Sequence, residues 1–227
     1  MIRFFKLSLA IAAKDLRSEW RTKEALNASG AFAIVILLLF SFAFDPASDS
    51  TLEFGGGLLW LVFMFAGALI VNRTFARELP NDCLEVLISS PVPGAAIFLG
   101  KVLASFVLLI LIEFISLPVF GIFYNITWWH QPWWLAAILV LATWALSTVG
   151  TLFGALTVNL RLRELMLPML LYPMLLPALM AAIRLTTLVL SNEPVAGDDL
   201  VWLKLLVGFD IIFTSLSLAL VDIVLVR

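Results

Sequence analysis

The sequence predicts an all-α integral membrane protein, six transmembrane helices behind an N-terminal amphipathic interfacial helix, and three observations carry that prediction. Apolar residues make up 63% of the 227 and charged residues only 13%, too little polar surface to cover a water-soluble globule. Six apolar stretches each approach the roughly 20 residues that a helical bilayer crossing needs. Lys and Arg are plentiful in alternate connections and absent from the others, the asymmetry that fixes orientation in a membrane.

The first 21 residues begin like a signal peptide, with Arg3 and Lys6 ahead of LSLAIAA. The apolar run is too short, however, and Lys14, Asp15, Arg17, Glu19 and Arg21 follow where a cleavage site belongs. At about 100° per residue, Arg3, Lys6, Lys14, Arg17 and Arg21 share an arc of roughly 80°, opposite Ile2, Phe5, Leu9, Ala12, Leu16 and Trp20. The segment reads as a helix lying in the interface with its basic side toward anionic headgroups.

The spans run from about Leu26 to Phe44, Gly55 to Val71, Val102 to Tyr124, Trp134 to Val158, Leu165 to Leu190 and Leu200 to Val226. Lipid offers no partner to an open strand edge, and no strand-like alternation is visible, so these are helices. Positive charge gathers in the N-terminal segment, at Arg73, Arg77 and Lys101, at Arg161 and Arg163, and at Arg227. The loops DPASDSTLE, NITWWHQP and SNEPVAGDD have none. Both termini and the long 73–101 connection are therefore expected in the cytoplasm, and the whole chain forms one membrane domain.

Within the spans, Glu113 is the strongest candidate for an intramembrane polar contact, set against a lightly solvated structural residue. Asp210 and Asp222 are expected to face the bundle interior or to be protonated, with snorkelling to the interfaces as the alternative, and Arg184 and Lys204 to snorkel to the outer interface. Pro168, Pro173 and Pro177 crowd the fifth span, either as a hinge or as a fixed kink in a packing helix. Gly150 and Gly154 supply a small face for close packing within the chain. Trp128, Trp129, Trp133 and Trp134 surround the only histidine, His130, as an interfacial aromatic belt. The alternative is that Trp128 and Trp129 stack on a porphyrin while His130 offers an axial nitrogen.

Catalytic and metal constellations are missing from the sequence. Cys83 and His130 are single residues assigned to opposite sides of the membrane, so no metal site is expected. GAAIFLGKV has five residues between its glycines and Val102 where a phosphate loop needs Ser or Thr. Nucleotide hydrolysis by this chain is not expected. The net charge of −2 offers no basic patch for nucleic acid.

The 73–101 segment is the one long connection with its own character. It reads as a docking helix over about Asp82–Ile88, stopped by Pro91 and Pro93. Phe75, Glu78, Leu84, Glu85, Leu87, Pro91, Pro93 and Lys101, in FARELPNDCLEVLISSPVPGAAIFLGK, resemble the CcmB family, permease subunits of the haem exporter-type ABC complex of cytochrome c maturation. GTLFGALTVNLRLRELMLPMLLYPMLLP, with Arg161, Glu164 and the three prolines, is similar to that family's fourth-to-fifth span segment; Asp82 departs from its usual glycine. The resemblance implies an ABC-2-like permease in the bacterial inner membrane. It implies two permeases with two CcmA-like ATPases, and association with CcmC-like and CcmD-like membrane proteins and the haem chaperone CcmE. Haem is implied as a handled ligand, not a firmly bound cofactor, and ATP would act only through the partner. In that setting Leu84, Leu87 and Ile88 would fill an ATPase groove and Glu85 and Arg77 would add rim charges. A lipid or amphipathic-solute exporter and a passive assembly scaffold are the alternatives.

Overall fold

The computed structural model describes residues 2–43, 49–78, 92–158, 160 and 162–225. The helices are α1 (Ile2–Thr22), α2 (Glu24–Ala43), α3 (Asp49–Ala76), α4 (Gly94–Tyr124), α5 (Pro132–Thr157), α6 (Arg163–Leu190) and α7 (Leu200–Leu225), with a 3-10 turn at Gly197–Asp199 before α7. No strand occurs among the described residues. Helices α2 to α7 are each long and apolar enough to cross a membrane, so the chain is a multi-pass membrane protein.

The main core joins α2 to α7, with Trp60, Phe63, Leu109, Phe120, Ile138, Leu171 and Leu185 fully buried in it. Polar handles on its aromatic residues are satisfied in place: Trp60 Nε1 donates to Thr186 Oγ1 at 2.9 Å and Tyr124 Oη to the Leu37 carbonyl at 2.8 Å. Small residues set the approach of α5 to α3. A Cβ added to Gly150 would lie 2.8 Å from Val71 Cγ2, and one on Gly154 3.6 Å from Phe75 Cδ2, so this glycine pair serves packing within the chain. Helix α6 runs unbroken through Pro168, Pro173 and Pro177, with Pro173 and Pro177 on its exposed side.

A second apolar cluster lies at one end of the bundle, where Ile11 of α1 meets Phe75, Ile97, Phe98, Val102, Leu152 and Val221. We call this the basic end; the Trp128–Trp134 loop marks the tryptophan end. Helix α1 packs chiefly along α4. The contact is backbone-close, since a Cβ on Gly100 would lie 2.7 Å from the Ser8 carbonyl oxygen and 2.8 Å from Ile11 Cβ. The α1–α2 turn needs a left-handed residue, and Lys23 takes φ 55 there.

Two of the span limits that differ from the sequence reading share one physical reason. Helix α4 begins at Gly94, not near Val102, and α3 continues past Val71 to Ala76. Charges at Arg73 and Lys101 mark the edge of an apolar window, but here they find carboxylate partners and remain helical.

Candidate functional site

Helix α1 has three faces rather than two. Ser8, Ile11, Ala12 and Glu19 are buried against the bundle and Asp15 is half-buried beside them, within about 100° of arc. Phe5, Leu9 and Trp20 are exposed on the neighbouring arc, and Arg3, Lys6, Lys14, Arg17 and Arg21 on the third. Most of the apolar and basic arcs seen in the sequence thus point away from the protein, as an interfacial helix requires, whereas Ala12 packs on the bundle and Lys14 turns to its carboxylates. The bundle face is small and acidic.

That acidic face grips both stems of the 73–101 connection. Arg77, just past α3, donates to Glu19 Oε2, and Glu19 has a fully buried side chain. Its other oxygen accepts from the Leu26 amide at 2.9 Å, satisfying one of the free N–H groups in the first turn of α2. Lys14 donates to Glu78 Oε1 and pairs with Asp15 at 2.9 Å. Lys101, in α4, is fully buried and lies 2.9 Å from Glu78 Oε2 and 3.4 Å from Asp15 Oδ2. The Lys101 to Glu78 Oε2 contact is an ion pair without hydrogen-bond geometry, since that oxygen accepts no bond among the described residues. Lys101 also donates to the Thr74 carbonyl at 2.9 Å and sits 4.7 Å from the centre of the Phe75 ring, which adds a cation–π attraction.

The bracket is electrically closed: Lys14, Arg77 and Lys101 against Asp15, Glu19 and Glu78. Burial draws the Lys14 ammonium down, but its hydrogen bonds to Glu78 and Asp15 and their charges outweigh this and hold it above the ordinary 10.5. Burial draws the Arg77 guanidinium below its ordinary value against the field of Asp15. Arg73 and Glu24 form a more exposed pair at 2.7 Å on the rim. The bracket lines a cavity of about 230 Å³ between α1, α3 and α4. That volume is below the ~300 Å³ where ligand pockets begin.

Of the docking residues expected from the sequence, Leu84, Glu85, Leu87, Ile88 and Pro91 lie outside the described residues, as does the Asp82–Ile88 helix. Arg77 and Glu78 enter the bracket. Pro93 is exposed and caps α4: its φ of −57 and ψ of 135 stand just before the first turn, and its carbonyl accepts from the Ala96 amide at 2.8 Å. At the tryptophan end Trp128 and Trp129 meet edge to face, their ring centres 5.8 Å apart. Trp128 is wedged against Gly121, where a Cβ would lie 2.7 Å from its ring, whereas Trp129 and His130 are exposed. His130 Nδ1 is 3.3 Å from the Thr127 carbonyl.

Glu113 is 2% exposed and accepts from Thr143 Oγ1 across α4 and α5; it is an intramembrane contact, not a lightly solvated side chain. Asp210 does not snorkel: it is 8% exposed and faces the bundle. Arg184 does reach an end of the bundle, pairing with Asp199 at 3.4 Å, and Lys204 and Asp222 are exposed. Sequence reasoning missed Asp15, Glu19 and Lys101 as one unit. The available signal was the i, i+4 spacing of Asp15 and Glu19, which puts both on one helix face.

These features define a class: a polytopic helical membrane protein whose charged residues tie together the ends of the two helices that flank an interhelical connection. Among the described residues no three His, Cys, Asp or Glu side chains gather as a metal site would need. The family model described as CcmB protein matches residues 6–222. Heme exporter protein B of Pseudomonas aeruginosa is 31% identical over 219 residues, covering 96% of each chain. The Heme exporter protein B sequences of Rhodobacter capsulatus and Paracoccus denitrificans are each 31% identical over 75% of this chain and 78% of theirs. The chain belongs to the CcmB family.

Proposed function

We propose that the chain is the permease subunit of an ATP-driven ABC complex in cytochrome c biogenesis. It couples hydrolysis by a separate CcmA-like ATPase to release of the haem-loaded chaperone, or to haem handling, at the tryptophan end. The curated relatives are named as haem exporters, which supports haem as the handled substrate. The observation that carries the coupling is the bracket: both stems of the 73–101 connection are tied to one surface helix, through Arg77 and Glu78 on one side and Lys101 on the other. A partner pushing on the loop then moves α1, α3 and α4 together.

In this reading Leu84, Leu87 and Ile88 fill a groove on the ATPase, Glu85 and Arg77 contribute charge at its rim, and Pro91 and Pro93 fix the approach to α4. Two permeases act with two ATPases, alongside CcmC-like, CcmD-like and CcmE-like proteins. The basic end faces the cytoplasm of a bacterial inner membrane, by the bias of Lys and Arg. Pro168, Pro173 and Pro177 let α6 bend as the bundle responds.

The test is co-purification of the tagged chain from membranes, with bound proteins identified and haem absorbance recorded. A nucleotide-binding subunit that is lost on Leu84→Asp with Leu87→Asp, together with haem-maturation proteins, is the expected result. An ATPase without those proteins points to a general exporter of amphipathic solutes, and no ATPase at all to a scaffold.

A further inference from the structure

A row of polar side chains inside the membrane has no part in the coupling bracket. On α7, Asp210, Thr214 and Ser217 fall within about 60° of arc at i, i+4 and i+7 spacing. On α5, Trp144, Thr148 and Thr151 repeat that spacing within about 60°. The two rows meet, because Trp144 Nε1 donates to Thr214 Oγ1 at 2.9 Å. Ser147 stands on the α4 side of the α5 row, one turn from Thr143, which holds Glu113.

Most of these groups are unpaired. The hydroxyls of Ser147, Thr148, Thr151 and Ser217, both carboxyl oxygens of Asp210 and one of Glu113 are buried and make no hydrogen bond among the described residues. The usual remedy for a hydroxyl in a membrane helix is to bond the carbonyl one turn earlier. Thr74 does so to Ile70 at 3.3 Å and Thr157 to Phe153 at 2.7 Å. The four seam hydroxyls do not take it. Burying so many polar groups unpaired on a single seam is disfavoured, and no residue on α4, α5 or α7 opposite them supplies the missing partners.

We propose that the junction of α4, α5 and α7 parts to admit water, which bonds the orphan hydroxyls and reaches the carboxyls of Asp210 and Glu113 inside the membrane. The seam is narrow and its groups are small hydroxyls and acids, so the chemistry it accepts is that of water and the protons water carries. This inference is independent of which partner binds the 73–101 loop.

Cysteine labelling tests it directly, since a thiol reacts as the thiolate and ionises only where water reaches it. With Cys83 replaced by serine in the full-length protein in lipid nanodiscs, Ser147→Cys and Ser217→Cys are treated with a charged, water-soluble methanethiosulfonate reagent. Val149→Cys and Ala145→Cys, buried on the other faces of α5, serve as depth-matched controls. The expected result is labelling about tenfold faster at Ser147→Cys and Ser217→Cys than at either control. Rates equal to the controls at both seam positions overturn the proposal. Because serine to cysteine is nearly isosteric, each variant reports separately if the other does not fold.

Discussion

Lys101 shows how much one buried charge decides. Its side chain is fully buried between Asp15, Glu78, the Thr74 carbonyl and the Phe75 ring, and removing it breaks two ion pairs at once and leaves Asp15 and Glu78 to Lys14 alone. Breaking a buried pair costs about 3–5 kcal/mol, so Lys101→Met is expected to lower the unfolding midpoint markedly in detergent. Arg73→Gln is the comparison: its pair with Glu24 is exposed on both sides and worth about 0–1 kcal/mol. Its midpoint should barely move; equal losses from the two substitutions would mean that burial does not set the strength of these pairs. Lys14 adds a pH signature. Its folded value lies above the ordinary 10.5, so the stability it contributes is fully present below 10.5 and is lost only as pH rises through the folded value. Protection of α1 from proteolysis should therefore be flat through neutral pH and fall on the alkaline side above 10.5, with Lys14→Arg carrying the protection further.

At the scale of the element, α1 was half legible. The basic and apolar arcs are visible in the sequence because composition alone marks them, and the structure leaves Phe5, Leu9 and Trp20 of the one and Arg3, Lys6, Arg17 and Arg21 of the other exposed. The acidic bundle face was not, because a projection that contrasts charged with apolar residues cannot tell which charges meet partners on another helix. The start of α4 failed for the same reason. Lys101 looks like the end of an apolar segment, yet Asp15 and Glu78 neutralise it and the helix runs back to Gly94. The hydrogen bond of Glu113 was legible because a lone acid in a long apolar run must find a partner, whereas the depth of Asp210 could not be read from distance along the chain alone. Gly100 is the residue on which α1 rests. A side chain there meets the Ser8 backbone at 2.7 Å, and backbone does not yield as a flexible side chain would. Overpacking of this kind typically costs about 1–3 kcal/mol, and Gly100→Val should lift α1 from α4. Hydrogen exchange of α1 amides should quicken while α6, which has no part in the cluster around Ile11, keeps its protection; slowing or no change in α1 would show that the close approach carries no weight.

Across the whole molecule, two polar systems sit at different depths with opposite logic. The bracket at the basic end is a fully paired set of six charges holding α1, α3 and α4 as one body. The α5–α7 seam is a buried set of polar groups left mostly unpaired. A paired network resists motion and an unpaired one favours a rearrangement that satisfies it, so under the proposed coupling force applied at the first would be released at the second. The proposed coupling can be separated from simple docking on this basis. Glu19→Gln removes the charge that holds Arg77, keeps the side-chain oxygen available to the Leu26 amide, and leaves Leu84 and Leu87 untouched. In a purified complex it should retain the ATPase but weaken the link from loop to bundle. The expected outcome is unchanged ATPase recovery with nucleotide-dependent labelling at Ser217→Cys reduced several-fold relative to the same thiol in an otherwise unaltered chain. Loss of the ATPase from the complex would instead make Glu19 part of the docking surface, and unaltered nucleotide-dependent labelling would show that the bracket does not carry the movement inward.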